Sequence, residues 1–208
     1  MLETIRTHPE GLFLAILYYL GVRRGEALGL KWGDFDFTVD QVHIQRDIDF
    51  TGSTAADGTL KTEAADRFVP IPADLKVMLL PKRESADAYV FHTPSGAPLP
   101  QASYKRMWSR LMLECGCVEW RELKPGTSRP DDILKQVKPT LTPHYFRHNY
   151  VTLLYESGID PLVAMKIVGH TDYQTTANIY THLKEETLCK ATVNMEKVFA
   201  SKSELKSE

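Results

Sequence analysis

A continuous apolar run over residues 11–22 limits what this chain can fold into. Spanning a bilayer takes about 20 apolar residues, so the run is too short for a membrane helix. His8-Pro9-Glu10, which precedes it, does not resemble the basic start of a signal peptide. We therefore predict a buried helix over residues 10–20, ended by Gly21. Nothing in the sequence indicates export, and we expect a cytoplasmic protein with no membrane partner.

Charge is distributed unevenly along the 208 residues. The net charge is −2, which argues weakly against a nucleic-acid partner. Residues 101–150, however, hold nine Lys and Arg against five Asp and Glu, whereas the first fifty residues hold five against eight. A basic middle segment fits a nucleic-acid contact, but it is also typical of an ordinary solvated surface.

The three cysteines are Cys115, Cys117 and Cys189. An odd number with C-x-C spacing matches neither a disulfide framework nor a zinc site. We predict free thiols in a reducing compartment.

The spacing of apolar residues predicts a mainly α fold with a small antiparallel β-sheet, an α+β class. Helices are predicted at residues 24–28 and from Ser103 onward, apart from a loop at residues 124–131. Pro70 favours a sheet edge for its strand, because proline cannot donate to a neighbouring strand. The predicted strands are residues 42–48, 67–71 and 89–91, with a turn of small residues at 51–58.

Two later helices have clear start signals. Thr142-Pro143 and Asp160-Pro161 each place a capping residue before a proline, which is favoured at the first helical position. Gly169 fits the left-handed position that ends the second of these helices.

The helix after Thr142 carries polar groups at a spacing that suggests a site. His144, Arg147 and His148 lie at i, i+3 and i+4, about 130° around the helix from the apolar residues. A solvated helix face explains the same pattern. The apolar residues, expected in the core, are Phe146, Tyr150, Leu153 and Leu154.

Three further segments contain candidate groups, each with an ordinary structural explanation. Arg23 and Arg24 lie beside apolar sequence, where arginine needs a carboxylate or a phosphate, and Glu26 could simply pair with them. Lys61 lies at the tip of the predicted hairpin, a usual place for a surface lysine. Tyr180 lies on a predicted short helix, where tyrosine is most often a packing residue with a solvated hydroxyl.

Together these segments resemble the tyrosine recombinase (phage integrase) family, from about residue 8 to residue 185. The matching blocks, in the family's order, are GVRRGE at 21–26, KT at 61–62 with RFVPI at 67–71, HYFRH at 144–148, VGH at 168–170 and YTH at 180–182. Val168 and Phe146 stand where the family usually has leucine. All positions of the family's active site match: Arg23, Lys61, His144, Arg147, His170 and Tyr180.

The resemblance implies site-specific DNA cleavage and rejoining without a metal or other cofactor. The family's nucleophile, here Tyr180, forms a 3′-phosphotyrosyl bond that keeps the bond energy for religation. Arg23 and Arg147 would hold the non-bridging phosphate oxygens. His144 is the candidate base for the tyrosine proton, and Lys61 resembles the general acid for the leaving 5′-oxygen. The histidine of the VGH block would hold a phosphate oxygen or position the tyrosine.

DNA contacts beyond the site are predicted on the helix after Ser103 and next to the first arginine. An amphipathic surface helix would explain the same pattern. The candidate DNA-binding residues are Arg24, Lys105, Arg106 and Arg110.

The resemblance also implies partners and a larger protein. The expected partners are double-stranded DNA attachment sites, other integrase protomers in a tetrameric synapse on DNA, and accessory DNA-bending or excision factors, in the bacterial cytoplasm at the nucleoid. Because family members carry N-terminal domains, we interpret residues 1–200 as the catalytic domain of a longer phage or conjugative-transposon integrase, and 201–208 as a flexible tail. Residues 185–200 are predicted to form an amphipathic helix, docked on a neighbouring protomer or on its own domain.

Three other functions fit parts of the sequence. A metal hydrolase could use the histidines, of which His144 and His148 have the spacing of a zinc helix. No glutamate completes H-E-x-x-H, however, and Arg147 would repel a cation. A DNA-binding module without catalysis is opposed by the intact set of active-site residues. A type IB topoisomerase shares the chemistry, but the hairpin lysine and the VGH block favour a recombinase.

Overall fold

The computed structural model describes residues 1–51, 54–58, 65–121, 133–169, 177, 180 and 181. They form a mainly helical structure with small antiparallel sheets, which confirms the predicted fold class. The helices are α1 (Leu2–Thr7), α2 (Gly11–Leu20), α3 (Arg24–Gly29), α4 (Ala73–Leu79), α5 (Gln101–Glu114), α6 (Ile133–Gln136), α7 (Pro143–Glu156) and α8 (Pro161–Val168). The strands are β1 (Phe35–Asp36), β2 (Gln41–Ile44), β3 (Asp47–Thr51), β4 (Thr54–Gly58), β5 (Arg67–Pro70), β6 (Val118–Trp120) and β7 (Val137–Pro139).

Helix α2 lies at the centre of the main core, as predicted, and nearly all its residues are buried. The ring of Phe13 packs edge-on against Phe91, with ring centroids 5.2 Å apart. Gly21 ends the helix with φ 60°. A Cβ at this position would lie 2.2 Å from the ring of Tyr150 on α7. Glycine therefore serves both the left-handed turn and the close approach of α2 and α7.

The predicted single strand at residues 42–48 is wrong, because the chain forms two separate strands there. β2 ends at Ile44 and pairs with β5, whereas β3 pairs with β4 in a different hairpin. Between the two strands, the side chains of Gln45 and Arg46 both bind the buried carboxylate of Asp34. These bonds turn the chain out of the first sheet before it enters the second.

The predicted turn at residues 51–58 is also wrong in part. Residues 54–58 are strand β4, paired antiparallel with β3 from Thr51 opposite Thr54 to Asp47 opposite Gly58. Strand β5 confirms the predicted returning strand. In the sheet order β1–β2–β5, β5 is an edge strand, as predicted. Pro70 has no N–H to donate, and at the edge this loses no hydrogen bond to a further strand.

Residues 89–91 do not form the predicted strand. Tyr89 makes one isolated bridge to Lys31, and Val90 N donates to Leu30 O at 2.9 Å. Trp32 N and Gly33 N also donate to Ala88 O and Ala86 O, at 3.0 and 2.8 Å, but residues Trp32–Asp34 form a 3₁₀ helix rather than a strand.

The region after Ser103 is less continuously helical than predicted. Helix α5 ends at Glu114, and β6 then pairs antiparallel with β7. The predicted loop at residues 124–131, the predicted helix at 185–200 and the predicted tail at 201–208 lie outside the described residues.

Helices α7 and α8 begin at Pro143 and Pro161, as predicted. The Asp160 carboxylate accepts the backbone N–H of Leu162 at 2.8 Å and so caps α8. Gly169, with φ 75°, ends α8 as predicted. Beside these helices lies a second, smaller apolar cluster, formed by Tyr150, Val151, Ala164, Val168 and Tyr180.

In the part of the chain that the structure describes, no helix is long and apolar enough to cross a membrane. Cys115 and Cys117 are free thiols, as predicted. Cys189 lies outside the described residues.

Candidate active site

A polar cavity of about 340 Å³ opens where the start of α3, strand β3 and the start of α7 meet. We call it the arginine cleft. Three of the predicted catalytic residues lie together here, although α3 and α7 are far apart in the sequence. The residues that line it are Arg23, Arg24, Gly25, Asp47, Ile48, Asp49, Thr142, Pro143, His144 and Arg147.

Arg147, on α7, lines the arginine cleft with only 3% of its surface exposed. Its Nη1 donates to Gly21 O at 3.1 Å and its Nη2 to Gly169 O at 3.5 Å. These carbonyls belong to the C-terminal ends of α2 and α8, where aligned peptide dipoles concentrate negative charge. Helix periodicity predicted Arg147 on a polar face, about 130° from the apolar residues, with a solvated face as the alternative. The Arg147 side chain is not solvated, because it turns inward to two helix ends.

The charge of Arg147 is only partly compensated. Burial and the neighbouring positive charge of Arg23 lower the pKa of Arg147 to about 9, although Glu26 opposes the shift. A group with a pKa lowered in this way gains from any anion that comes close. The arginine cleft therefore favours an anionic ligand.

Arg23 directly precedes α3, and its side chain is 41% exposed. Its Nη1 donates to Glu26 Oε1 at 2.7 Å and its Nη2 to Gly169 O at 3.2 Å. Gly169 O thus accepts from both Arg23 and Arg147, which brings two guanidinium groups to one point. Two adjacent forked cations suit the two non-bridging oxygens of a phosphodiester.

Arg67 contacts this site, although the sequence pattern predicted no role for it. Its Nη1 and Nη2 donate to the carboxylate of Glu26 at 3.0 and 2.9 Å. Burial alone would raise the pKa of Glu26, but the hydrogen bonds and charge of Arg67, with the Arg23 amide, lower it to about 2. A usable signal was present, since Arg67 shares the inward-facing positions of β5 with Val69.

His144 and His148 line different depressions. His144 is exposed in the arginine cleft. His148 lines a separate depression of about 390 Å³, beside Tyr18 and Leu141. The two imidazoles therefore do not point to one place. The ligands of a single zinc ion must do so.

Arg24, a predicted DNA-binding residue, also lines the arginine cleft. Its guanidinium lies over the rings of Phe50 and Tyr104, 5.1 and 5.4 Å from the ring centroids. Contact with two aromatic rings holds the positive charge in place. This arginine is thereby fixed at the wall of the cleft.

The other predicted DNA-binding residues lie on α5. Lys105 and Arg106 are exposed there. Arg110 is paired with Glu10, with its Nε 3.0 Å from Glu10 Oε2 and its Nη2 bound to Oε1. Its charge is therefore partly compensated within the protein, unlike the charges of Lys105 and Arg106, for which no ion pair occurs among the described residues.

Tyr180 lies outside the arginine cleft. Its hydroxyl donates to Ile159 O at 3.1 Å, and its ring packs edge-on against Tyr155 with centroids 5.0 Å apart. Burial, and secondly the charge of Asp160, raise the pKa of Tyr180. We call its surroundings the Tyr180 pocket, lined by Tyr155, Gly158, Ile159, Asp160, Pro161, Ala177, Tyr180 and Thr181.

The structure thus brings together Arg23, His144 and Arg147 and leaves Tyr180 in a separate pocket. Lys61 and His170, the remaining predicted catalytic residues, lie outside the described residues.

Comparison with known proteins agrees with the resemblance seen in the sequence. Residues 2–187 match the model of the phage integrase family. The chain belongs to this family. It is 27% identical to a tyrosine recombinase XerC-like protein of Caldanaerobacter subterraneus, over 92% of this chain and 51% of that protein. It is 25% identical to the ICEBs1 integrase of Bacillus subtilis, over 82% of this chain and 44% of that protein. The chain spans about half the length of the curated relatives it matches.

Solved structures of tyrosine recombinases share the fold. The Tn1549 transposon integrase in complex with circular intermediate DNA aligns with a TM-score of 0.64 and 21% identity, over 90% of this chain and 63% of that one. The XerA recombinase aligns with a TM-score of 0.56 and 22% identity, over 92% of this chain and 60% of that one. These alignments confirm the tyrosine recombinase catalytic-domain fold.

In this phage integrase family member, the arginine cleft has the chemical means to bind a phosphodiester. Arg23 and Arg147 offer forked donors to its oxygens, and His144 offers a proton acceptor at the same place. The phenol hydroxyl lies in the Tyr180 pocket instead, bonded to a backbone carbonyl.

Proposed function

We propose that this chain cleaves and rejoins DNA strands at specific sites through a covalent bond between Tyr180 and a 3′-phosphate. The main support is the pair of guanidinium groups, Arg23 and Arg147, that meet at Gly169 O in the arginine cleft. A phosphodiester gains negative charge as it is attacked. Positively charged donors already held in place stabilise that charge without reorganising during the reaction.

The proposed reaction exchanges one phosphate ester for another and uses no metal ion, because the arginines supply the positive charge. The Tyr180 oxygen bonds to phosphorus, and its proton passes to His144. The bond from phosphorus to the 5′-oxygen breaks, and Lys61 protonates that oxygen. His170 holds a phosphate oxygen or positions the tyrosine. A free 5′-hydroxyl can reverse the step, because the phenol ester retains the bond energy.

The reaction requires the Tyr180 hydroxyl to leave Ile159 O and enter the arginine cleft. Among the described residues, one hydrogen bond, one edge-on ring contact with Tyr155 and burial in the second apolar cluster hold it in the Tyr180 pocket. The hydrogen bond and the ring contact are each worth about 1 kcal/mol. Binding of DNA in the cleft has to offset these contacts and the loss of burial.

The proposed substrate is double-stranded DNA that carries the attachment sites of a mobile element. The Tn1549 integrase of similar fold is described in complex with circular intermediate DNA, and the related Bacillus subtilis protein is an integrase. Arg24, Lys105 and Arg106 would contact DNA phosphates outside the reacting one. We further propose that protomers act as a tetramer on DNA, with accessory DNA-bending or excision factors, in the bacterial cytoplasm.

The test uses a nicked duplex that carries the DNA sequence flanking the gene, so that the cleaved end is lost and the covalent product accumulates. The unaltered chain should form a protein–DNA adduct that resists detergent, with or without EDTA. Tyr180→Phe should bind the duplex equally well and form no adduct, because it lacks only the attacking oxygen. Tyr155→Phe, which keeps the neighbouring ring and loses its hydroxyl, should form the adduct normally. An adduct in Tyr180→Phe, or one mapped to Tyr173, would contradict the assignment.

A DNA-binding module without catalysis is the second candidate. The position of Tyr180 outside the arginine cleft favours it. It predicts that the unaltered chain binds the nicked duplex and never forms the adduct.

A further inference from the structure

Arg67, on strand β5, is 6% exposed and makes hydrogen bonds through all three of its guanidinium nitrogens. Nη1 and Nη2 donate to Glu26 Oε1 and Oε2, at 3.0 and 2.9 Å. Nε donates to Ile167 O at 2.8 Å. Nη1 also donates to Ala65 O at 3.0 Å. This one side chain therefore joins strand β5, the start of α3 and the end of α8.

Two of these segments hold the guanidinium pair of the arginine cleft. Glu26, in the first turn of α3, accepts both the backbone N–H and the Nη1 of Arg23, each at 2.7 Å. Ile167 lies two residues before Gly169, whose carbonyl accepts from Arg23 and Arg147. A change at Arg67 would therefore reach the cleft by two routes, although Arg67 does not line it.

Glu26 competes with any bound phosphate for Arg23. Its side chain is 1% exposed, and a carboxylate buried this deeply must be paired with a cation. Arg67 is the better placed partner, because it makes two bonds to the carboxylate from a side chain that is itself 5% exposed. The Arg23 side chain makes one bond to Glu26 and is 41% exposed, so it can turn toward a ligand.

We propose that Arg67 is a positioning residue that neutralises Glu26 and thereby leaves Arg23 free to bind the attacked phosphate. The inference rests on the proposed function. Without Arg67, the buried carboxylate would draw Arg23 to itself, since leaving a buried charge unpaired is strongly destabilising. The guanidinium pair would then present one free cation to DNA in place of two.

The test measures single-turnover cleavage of the nicked duplex at saturating protein, and measures DNA affinity separately. Arg67→Gln should lower the cleavage rate about 100-fold, the size of effect seen when one charge-stabilising donor is lost. The Kd for the duplex should rise by no more than about threefold, because most affinity comes from the many other phosphate contacts.

A second variant separates neutralisation from a purely structural role. Arg67→Gln combined with Glu26→Gln replaces the ion pair by two neutral amides, so nothing competes with the phosphate for Arg23. This double variant should cleave about tenfold faster than Arg67→Gln alone, a coupling expected of residues in direct contact. Arg67→Lys keeps the neutralising charge without the fork and should stay within about tenfold of the unaltered chain.

Arg46 provides a matched control. It binds the buried carboxylate of Asp34, and its Nε donates to Gly29 O at 3.2 Å. Asp34 accepts the backbone N–H of Lys31, just as Glu26 accepts that of Arg23. Arg46→Gln should lower thermal stability as Arg67→Gln does, but should leave the cleavage rate within about twofold.

The outcomes separate this inference from the proposed function. An unchanged rate in Arg67→Gln, or a double variant no faster than the single one, would overturn the role of Arg67 alone. If Arg67→Gln does not fold, the double variant and Arg67→Lys decide, and slow cleavage by both would overturn it. No adduct from the unaltered chain would overturn the proposed function, and this inference with it.

Discussion

The arginine cleft and the Tyr180 pocket differ in how firmly they hold their functional groups. Arg147 is bonded to the ends of two helices, and Arg23 is bonded to a buried carboxylate and to one of those helix ends. Among the described residues, the Tyr180 hydroxyl makes one hydrogen bond, to Ile159 O, and its ring packs edge-on against Tyr155 and within the second apolar cluster. Under the proposed function, the phosphate-binding half is assembled before DNA arrives, and the nucleophile is the part that moves.

The largest effect that tests this comparison is expected at Arg147. Lysine at this position would keep a positive charge, but its single ammonium cannot reach Gly21 O, Gly169 O and a phosphate as the guanidinium fork does. Arg147→Lys should therefore slow single-turnover cleavage of the nicked duplex about 1000-fold. The rate is to be measured below the thermal midpoint of the variant, so that unfolding does not contribute.

His148→Gln is the control on the same helix. His148 lines a different depression, so this variant should cleave at the rate of the unaltered chain. An Arg147→Lys variant that cleaves as fast as the unaltered chain would show that the arginine cleft does not need the guanidinium group of Arg147.

An intermediate effect is expected in acid, from the carboxylate beside the cleft. The pKa of Glu26 is about 2 in the folded chain, below its ordinary 4.5, so folding favours the charged form. This stabilisation, about 3 kcal/mol, is fully present above the unfolded pKa and is lost as the pH falls toward the folded pKa. Urea unfolding at a series of pH values should show that loss in the unaltered chain.

Glu26→Gln should be less stable near neutral pH and should lose less free energy of unfolding on acidification. Tyr180→Phe should follow the acid profile of the unaltered chain, because the Tyr180 pocket does not contain this ion pair. Parallel acid profiles for the unaltered chain and Glu26→Gln would contradict the role given to the buried pair.

The smallest effect is expected in the Tyr180 pocket. Burial and Asp160 raise the pKa of Tyr180, so folding favours the neutral phenol, and this stabilisation is lost only as the pH rises past the ordinary value of 10.0. Loss of its hydrogen bond in Tyr180→Phe should cost about 1 kcal/mol of stability.

The same pKa reports the proposed movement. In NMR titrations of ring-labelled tyrosine, assigned with Tyr180→Phe, the free chain should show a raised value. DNA should lower it below the ordinary value, because the hydroxyl would then lie near Arg23 and Arg147. A value that stays raised in the DNA complex would mean that the phenol remains in the Tyr180 pocket.

Local sequence signals predicted the elements that frame the site. Gly21 and Gly169 have φ of 60° and 75° and end α2 and α8 where expected, because left-handed backbone favours glycine. The prolines at the starts of α7 and α8 also lie where predicted. These features depend on residues within one turn of each other, so the sequence contains them directly.

Predictions failed where the deciding partner lies outside the segment for which the prediction was made. The strand expected at residues 42–48 is divided because Gln45 and Arg46 bind the carboxylate of Asp34. The turn expected at residues 51–58 contains strand β4 because its residues pair with β3. The alternation of apolar and polar residues predicted the strand, and the small size of the residues predicted the turn, but neither pattern carries information about these contacts.

By itself, the sequence determined the chemical groups available, including Arg23, His144 and Arg147, and the helices on which or next to which they lie. Only the tertiary structure decided that Arg147 turns inward, that Arg67 pairs with the Glu26 carboxylate, and that Tyr180 lies outside the arginine cleft. The reason is physical. Helix periodicity and capping are set by neighbours within a few residues, whereas a buried charge or hydroxyl goes to whichever distant partner offsets its lost hydration.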